Sequence, residues 1–266
     1  MTQTILFIHG AWMTPRCWEP MVAAFTDKGF DCVAPAWPGK DRSVEAIRAD
    51  PSPLAGLGVA QIVDHYAAII KALPEPPILV GHSFGGLFVQ LLLDRGLGRA
   101  GVAIDPAPPK GVNGLALSAV RSLIGVLATP FGWRKPIHWS FERFRYAFVH
   151  TLPADEQRAA YDRHVVPETG RIFFQAAAAP FSPGSPLKLD FKRADRAPLL
   201  IIAGEADRIV PATVVRRTFK RYAAGTARTD FKAFPGRVHW IIAEPGYQEV
   251  VDHIAGWLQS AAPVPG

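Results

Sequence analysis

The sequence predicts an α/β protein on a mostly parallel, doubly wound sheet, with a helical insertion ahead of the penultimate strand. Three observations carry this expectation. Short, buried-type apolar runs alternate with helix-length amphipathic segments from Thr4 to Ile104. The alternation stops between about Lys110 and Arg196, where only helical apolar spacing is found, and resumes at Pro198. At the centre of the first block, Ile78-Leu79-Val80 runs into Gly81-His82-Ser83-Phe84-Gly85 and on into Leu87-Phe88-Val89-Gln90-Leu91-Leu92-Leu93, a strand, a sharp turn and a helix. Parallel neighbours need crossover helices, and right-handed crossovers put those helices on both faces of the sheet.

Taken in order, Thr4 to Ile8 reads as a buried strand that runs into the turn His9-Gly10-Ala11-Trp12, where backbone N–H groups are lifted out of the sheet edge. Arg16 to Lys28 carries Trp18, Met21, Val22 and Phe25 at helical spacing, and Gly29 stops it. Phe30 to Ala36 is the next strand, closed by Pro38-Gly39. Lys40 to Gly58, with Asp50-Pro51-Ser52-Pro53, reads as mostly loop. Val59 to Leu73 is helical through Ile62, Val63, Tyr66, Ile69 and Ile70, and Ala100 to Ile104 is a strand ending at Asp105-Pro106.

The insertion contains helical stretches at Leu115 to Leu127, Ser140 to Leu152, Asp155 to Val165 and Arg171 to Ala178. Then come a strand at Leu199 to Ala203, the loop Gly204 to Pro211, a helix at Val214 to Tyr222, a last strand at Thr229 to Phe234, the loop Pro235 to Trp240 and a closing helix at Tyr247 to Leu258. The tail from Ala261 to Gly266 is expected to fray. The expected units are residues 1–109 with 197–266 as the sheet domain, and 110–196 as the insertion.

Composition narrows the function. A chain of 266 residues with 49% apolar and 20% charged residues is an ordinary globular protein. The net charge of +6 comes from arginines spread along the chain rather than massed in a stripe, which argues against a nucleic-acid partner. Thr4 to Ile8 is too short for a signal peptide, and no apolar stretch approaches the roughly 18 residues of a membrane span. A cytoplasmic location with no membrane partner is therefore the expectation. Cys17 and Cys32 form neither a metal-ligand spacing nor a disulfide framework; Cys32 reads as a core residue and Cys17 is left unassigned.

The chemistry centres on Gly81-His82-Ser83-Phe84-Gly85. Glycines on either side remove the clashes that would forbid so tight a turn, and Ser83 would stand proud of the sheet. Amides at the start of the following helix would point at whatever Ser83 attacks. A neutral hydroxyl is a poor nucleophile, so Ser83 needs a base, and the base needs a carboxylate to hold its tautomer. His239 lies just after the last strand and Asp207 just after the one before it. The order Ser83, Asp207, His239 is that of one known triad arrangement. His9 and His82 sit in turns expected to point away from Ser83, and His138, His150 and His164 fall in the insertion at surface or seam positions.

Gly81-His82-Ser83-Phe84-Gly85, His9-Gly10-Ala11-Trp12, Gly204-Glu205-Ala206-Asp207 with Val210-Pro211, and Val238-His239-Trp240 together resemble the α/β-hydrolase superfamily, over nearly the whole chain and in the right order. The resemblance implies Ser83 as nucleophile, His239 as general base and then acid, and Asp207 as the orienting carboxylate. It implies an oxyanion hole from the backbone N–H groups of Phe84 and Ala11, with Trp12 as the alternative to Ala11. Asp105 competes with Asp207, because some superfamily members carry the acid after the strand that follows the nucleophile helix. The early His9-Gly10-Ala11-Trp12, with no hairpin before it, is similar to small esterases related to plant methylesterases and hydroxynitrile lyases, which implies a six-stranded sheet under a helical cap.

A serine nucleophile implies acyl transfer on an ester, thioester or lactone, with no metal or cofactor required; separately, a monomer or homodimer is the expected unit. The aromatic-rich insertion points to an apolar acyl or alcohol portion, acyl-homoserine lactones being one case. Trp12, Trp240, Trp133, Trp139 and Phe144 are the candidates for the pocket lining. Two readings from other classes stand beside this one: a carbon–carbon lyase of the hydroxynitrile type, for which no motif names a cyanide-holding lysine, and a non-catalytic ligand receptor.

Overall fold

A computed structural model describes residues 2–114 and 116–262. Leu115, with which the sequence reading opened a helix, and residues 263–266 of the expected tail lie outside them. In chain order the elements are β1 (Thr4–Ile8), α1 (Glu19–Asp27), β2 (Asp31–Val33), α2 (Val44–Ala49), α3 (Val59–Ala72), β3 (Ile78–His82), α4 (Phe84–Asp94) and β4 (Ala100–Ile104). The inserted segment follows with α5 (Leu117–Leu127), β5 (Pro136–Ile137), α6 (Phe141–Ala147), α7 (Ala154–His164), β6 (Glu168–Thr169) and α8 (Arg171–Ala178). The chain closes with β7 (Leu199–Gly204), α9 (Ala212–Tyr222), β8 (Thr229–Phe234) and α10 (Gln248–Ala261).

Six strands form one sheet in the order β2-β1-β3-β4-β7-β8, and every pairing in it is parallel. β3 and β4 are buried along their whole length, as a central strand covered on both faces must be. On the helical layers α1 packs against α10, whereas α3 packs on α4, and Tyr222 of α9 donates to Gln90 of α4 at 3.1 Å. The register places Ile8 beside Gly81, His82 beside Ile104, Ile104 beside Ile202 and Gly204 beside Phe234. The strands therefore end together along one edge, and the loops that leave this edge carry Ala11, Ser83, Asp105, Asp207 and His239.

The strand ends force a tight backbone at the elbow. A Cβ on Gly81 would lie 2.2 Å from the Gly85 carbonyl oxygen, and one on Gly85 would lie 2.0 Å from that of Ile8. These obstacles are backbone atoms that cannot retreat. Gly85→Ala is expected to destabilise the protein by more than about 3 kcal/mol. Gly256→Ala, in α10 with open space around it, is expected to be neutral or to stabilise by about 0.4–1 kcal/mol. Thermal melting checks both, and a Gly85→Ala protein that melts with the wild type would contradict the elbow packing.

Several expectations are corrected. β2 stops at Val33, not Ala36, because the next carbonyls turn out of the sheet: Tyr66 Oη donates to Pro35 O at 2.7 Å and a His65 ring nitrogen meets Ala36 O at 3.0 Å. The Lys40 to Gly58 stretch is not mostly loop, since α2 forms there with Ser43 as its N-cap, accepting from Ala46 N–H. α6 ends at Ala147 rather than Leu152. The insertion is not purely helical, because β5 and β6 pair antiparallel, Ile137 opposite Glu168. Ala262 does not fray: it is buried, and its carbonyl accepts from Gln3 Nε2 at 2.8 Å. Cys32 is half-buried, while Cys17 is fully buried in the core. Among the described residues no helix is long and apolar enough to cross a membrane.

Candidate active site

Ser83 occupies φ +57°, ψ −120°, a conformation an L-residue keeps only where its surroundings over-determine it. Those surroundings are the strand end and the helix start. Ser83 N–H donates to Ile104 O at 2.9 Å, and its carbonyl accepts from Ala107 N–H at 3.0 Å and Leu87 N–H at 3.1 Å. The turn after β1 passes directly against it, since a Cβ on Gly10 would sit 2.8 Å from the Ser83 Cβ. This contact brings the His9-Gly10-Ala11-Trp12 turn to the serine.

The loops after β7 and β8 are tied together, with Ala206 N–H donating to Arg237 O at 2.9 Å and Glu205 N–H to Phe234 O at 3.1 Å. They bring Asp207 and His239 into contact. His239 Nδ1 lies 2.5 Å from Asp207 Oδ2, and both side chains are fully buried. The other carboxylate oxygen, Oδ1, accepts from Ile209 N–H at 2.7 Å and Val210 N–H at 2.9 Å, which fixes its orientation. Burial pulls His239 down to about 3, so the ring is neutral. With Nδ1–H donating to Asp207, Nε2 is left as an acceptor, and it has no hydrogen-bond partner among the described residues. Ser83 and His239 are thus not hydrogen-bonded, and contacts of this kind commonly tighten only when substrate is bound.

Asp105 and His82 enter the site more closely than their sequence positions suggest. Ligating atoms of His82, Asp105 and His239 lie within 4.8 Å of one another, and the His82 ring packs 4.5 Å from that of His239. Asp105 is fully buried at φ +42°, and its Oδ1 accepts from Gly204 N–H at 2.7 Å. Burial, and then the adjoining Asp207 carboxylate, push Asp105 well above the usual carboxylate range; burial raises Asp207 as well, opposed by the Val210 and Ile209 amides and by Asp105 itself. His9 is otherwise engaged: it stacks on Trp37 at 4.8 Å, and its Nε2 accepts from Trp37 N–H at 3.3 Å.

Of the two amides that could face an oxyanion from the β1 turn, one is taken. Trp12 N–H donates to Glu168 Oε2 at 3.0 Å, whereas Ala11 N–H has no hydrogen-bond partner among the described residues. The Phe84 amide opens α4, a helix of eleven residues whose N-terminus favours negative charge.

The insertion closes over this edge with aromatic rings. Trp12 stacks on Trp139 at 3.7 Å and on Phe173 at 4.5 Å, Phe173 meets Phe84 at 5.3 Å, and Phe148 bridges Trp139 at 5.6 Å and His239 at 4.5 Å. Ser83 is left 5% exposed. Of the sequence candidates for the lining, Trp12 and Trp139 lie in this wall. Phe144 stands one layer behind, stacked on Phe148, and Trp240 packs against Phe144 and His164. Trp133 does not reach the wall: it is 41% exposed and packs on Phe131 and Phe174. Sequence reasoning did not single out Phe148, Phe173, Glu168 or Lys40.

The model of the Alpha/beta hydrolase family matches residues 5–253. A monoacylglycerol lipase of Mycolicibacterium smegmatis is 27% identical over 195 residues, which is 70% of this chain and 62% of that protein. The matched segment thus spans less than two thirds of that lipase. Among solved structures, a monoacylglycerol lipase of Paleococcus ferrophilus superposes with a TM-score of 0.67 at 21% identity, covering 98% of this chain and 96% of the other. A pyrethroid hydrolase of Sphingobium faniae superposes with a TM-score of 0.68 at 17% identity, covering 99% and 100%. With a family match running from β1 into α10 over a six-stranded parallel sheet, the chain belongs to the alpha/beta hydrolase family.

Proposed function

We propose that this chain is a serine carboxylic-ester hydrolase. The observation that carries the reading is the buried Asp207–His239 pair, with a neutral imidazole and an unpartnered Nε2, at the same sheet edge as the Ser83 elbow. Ser83 Oγ attacks the ester carbonyl carbon while His239 Nε2 takes its proton. The tetrahedral oxyanion is held by the Ala11 and Phe84 amides, an arrangement in which one donor is worth about 3–4 kcal/mol of transition-state stabilisation. Collapse expels the alcohol, protonated by His239, and water activated by the same nitrogen releases the acid. Asp207 holds Nδ1–H and stabilises the imidazolium.

The wall of Trp12, Trp139, Phe148, Phe173 and Phe84 suits an ester or lactone with an apolar acyl or alcohol group. The names of two relatives, a monoacylglycerol lipase and a pyrethroid hydrolase, agree with a hydrolase in kind. The segment 110–196 serves in this reading as a cap that supplies three of the five rings. A p-nitrophenyl ester series from acetate to decanoate, run beside an acyl-homoserine lactone, tests the reading. Turnover that rises with chain length is expected, and no turnover of any ester or lactone would overturn it.

The pH profile follows from the buried histidine. A base whose proton affinity is depressed stays neutral, and so competent, as pH falls through the ordinary histidine value of about 6.5. The acid limb of kcat/KM is therefore expected well below pH 6.5, measured from pH 4 to 8 on a single ester. A midpoint at or above 6.5 would contradict the assignment of the buried neutral ring as base.

A further inference from the structure

Lys40 and Glu168 are both fully buried, with Lys40 Nζ 2.5 Å from Glu168 Oε2. Removing two such ions from water costs several kcal/mol each, and the mutual attraction offsets this only when the remaining polar atoms are also satisfied. Here they are satisfied by backbone, that of Trp12 and Met13 and the Thr169 amide. Glu168 Oε2 also accepts from Trp12 N–H at 3.0 Å, Glu168 Oε1 accepts from Thr169 N–H at 2.7 Å, and Lys40 Nζ also donates to Met13 O at 2.9 Å. Val166 N–H, two residues before Glu168, donates to Trp12 O at 2.9 Å. The N–H and C=O of Trp12 and the C=O of Met13 are thus gripped from the insertion and from the loop after β2.

The gripped residue is strained. Trp12 has φ +61°, a left-handed conformation that is unfavourable for a bulky side chain and persists only when its surroundings impose it. Its neighbour Ala11 is the residue whose amide has no partner among the described residues. Lys40, Glu168 and Trp12 come from segments 128 and 156 residues apart, so the grip exists only when the insertion is seated on the sheet domain.

Building on the ester-hydrolase reading, we infer that Lys40 and Glu168 are positioning residues for the oxyanion loop. They sequester the Trp12 amide, hold the turn in its left-handed conformation and so present the Ala11 amide as the donor to the tetrahedral intermediate. Neither residue touches substrate. Their effect lies on transition-state stabilisation rather than on ground-state binding, and donor geometry becomes coupled to closure of the insertion.

Two double variants test this without stranding a buried charge. Lys40→Met with Glu168→Gln keeps a neutral oxygen that can accept from Trp12 N–H; Lys40→Met with Glu168→Leu removes the acceptor at similar volume. The Gln variant is expected to keep kcat for p-nitrophenyl butyrate within about threefold of wild type, and the Leu variant to lose about 10- to 100-fold in kcat with KM little changed. The affinity of the Leu variant for an alkyl boronic acid, which forms a tetrahedral adduct on a serine, is expected to fall by the same factor.

Amide hydrogen exchange supplies a readout independent of turnover. The Trp12 amide should be protected in wild type and in the Gln variant and exposed in the Leu variant. A fast-exchanging Trp12 amide in the wild type would overturn the inference even if both double variants failed to fold. An active wild type whose two double variants share one kcat, or differ only in KM, would overturn the positioning role alone. A wild type that hydrolyses no ester would overturn the hydrolase reading, and the oxyanion role with it.

Discussion

Ser83→Ala is expected to lower kcat on p-nitrophenyl esters by at least about a thousandfold, leaving only what the oxyanion donors and binding supply. Ser83 is 5% exposed, its backbone is held on both sides by Ile104, Ala107 and Leu87, and Gly10 lies against its Cβ. Alanine fills the same position with one atom fewer, so the melting temperature should stay within a few degrees. Ser83→Gly should lose activity equally but gain stability of about 1 kcal/mol, because glycine accepts φ +57° without strain. A fluorophosphonate probe should label the wild type at Ser83 and neither variant. Ester turnover that survives Ser83→Ala, or labelling at any other residue, would remove the serine from the mechanism.

The second large effect separates two aspartates at neighbouring strand ends. Asp207→Asn is expected to lower kcat by about 10⁴-fold, because an amide opposite Nδ1 favours the imidazole tautomer that carries its proton on Nε2. That tautomer cannot act as the base. Asp105→Asn is expected to cost less than about tenfold, since burial and the adjoining Asp207 favour the protonated form of Asp105 and an Asn oxygen can still accept from Gly204 N–H. Steady-state kinetics on the two single variants decides between them. The opposite pattern would make Asp105 the carboxylate that serves the base.

Much of the candidate site's placement was legible because its residues lie in runs with strong local signals. Gly81 and Gly85 are required by contacts made within the elbow and with the adjacent strand end, so Ser83 could be identified from spacing alone. His239 and Asp207 followed from lying just beyond buried apolar runs, and parallel strands put such loops on a common edge. The aromatic wall was not readable in this way. Trp139 and Trp133 are six residues apart in the same stretch, yet one stacks on Trp12 and the other faces outward against Phe131 and Phe174. The difference comes from the β5–β6 pairing, which has no local sequence period, and from the packing of α8, which is legible as a helix over Arg171–Ala178 but whose partners come from distant segments.

By itself, the sequence determined the six-strand alternation, the elbow that carries Ser83 and the two strand-end loops that carry Asp207 and His239, because strand period, helix period and glycine sterics act over a few residues. Only the tertiary structure decided that Asp105 and His82 crowd His239, that Phe148 and Phe173 form the wall, and that Glu168 takes the Trp12 amide while that of Ala11 has no partner among the described residues. Each of these depends on contacts between segments far apart in the chain. Burial then sets the protonation of the groups it brings together, and a linear pattern of residue types carries no record of that burial.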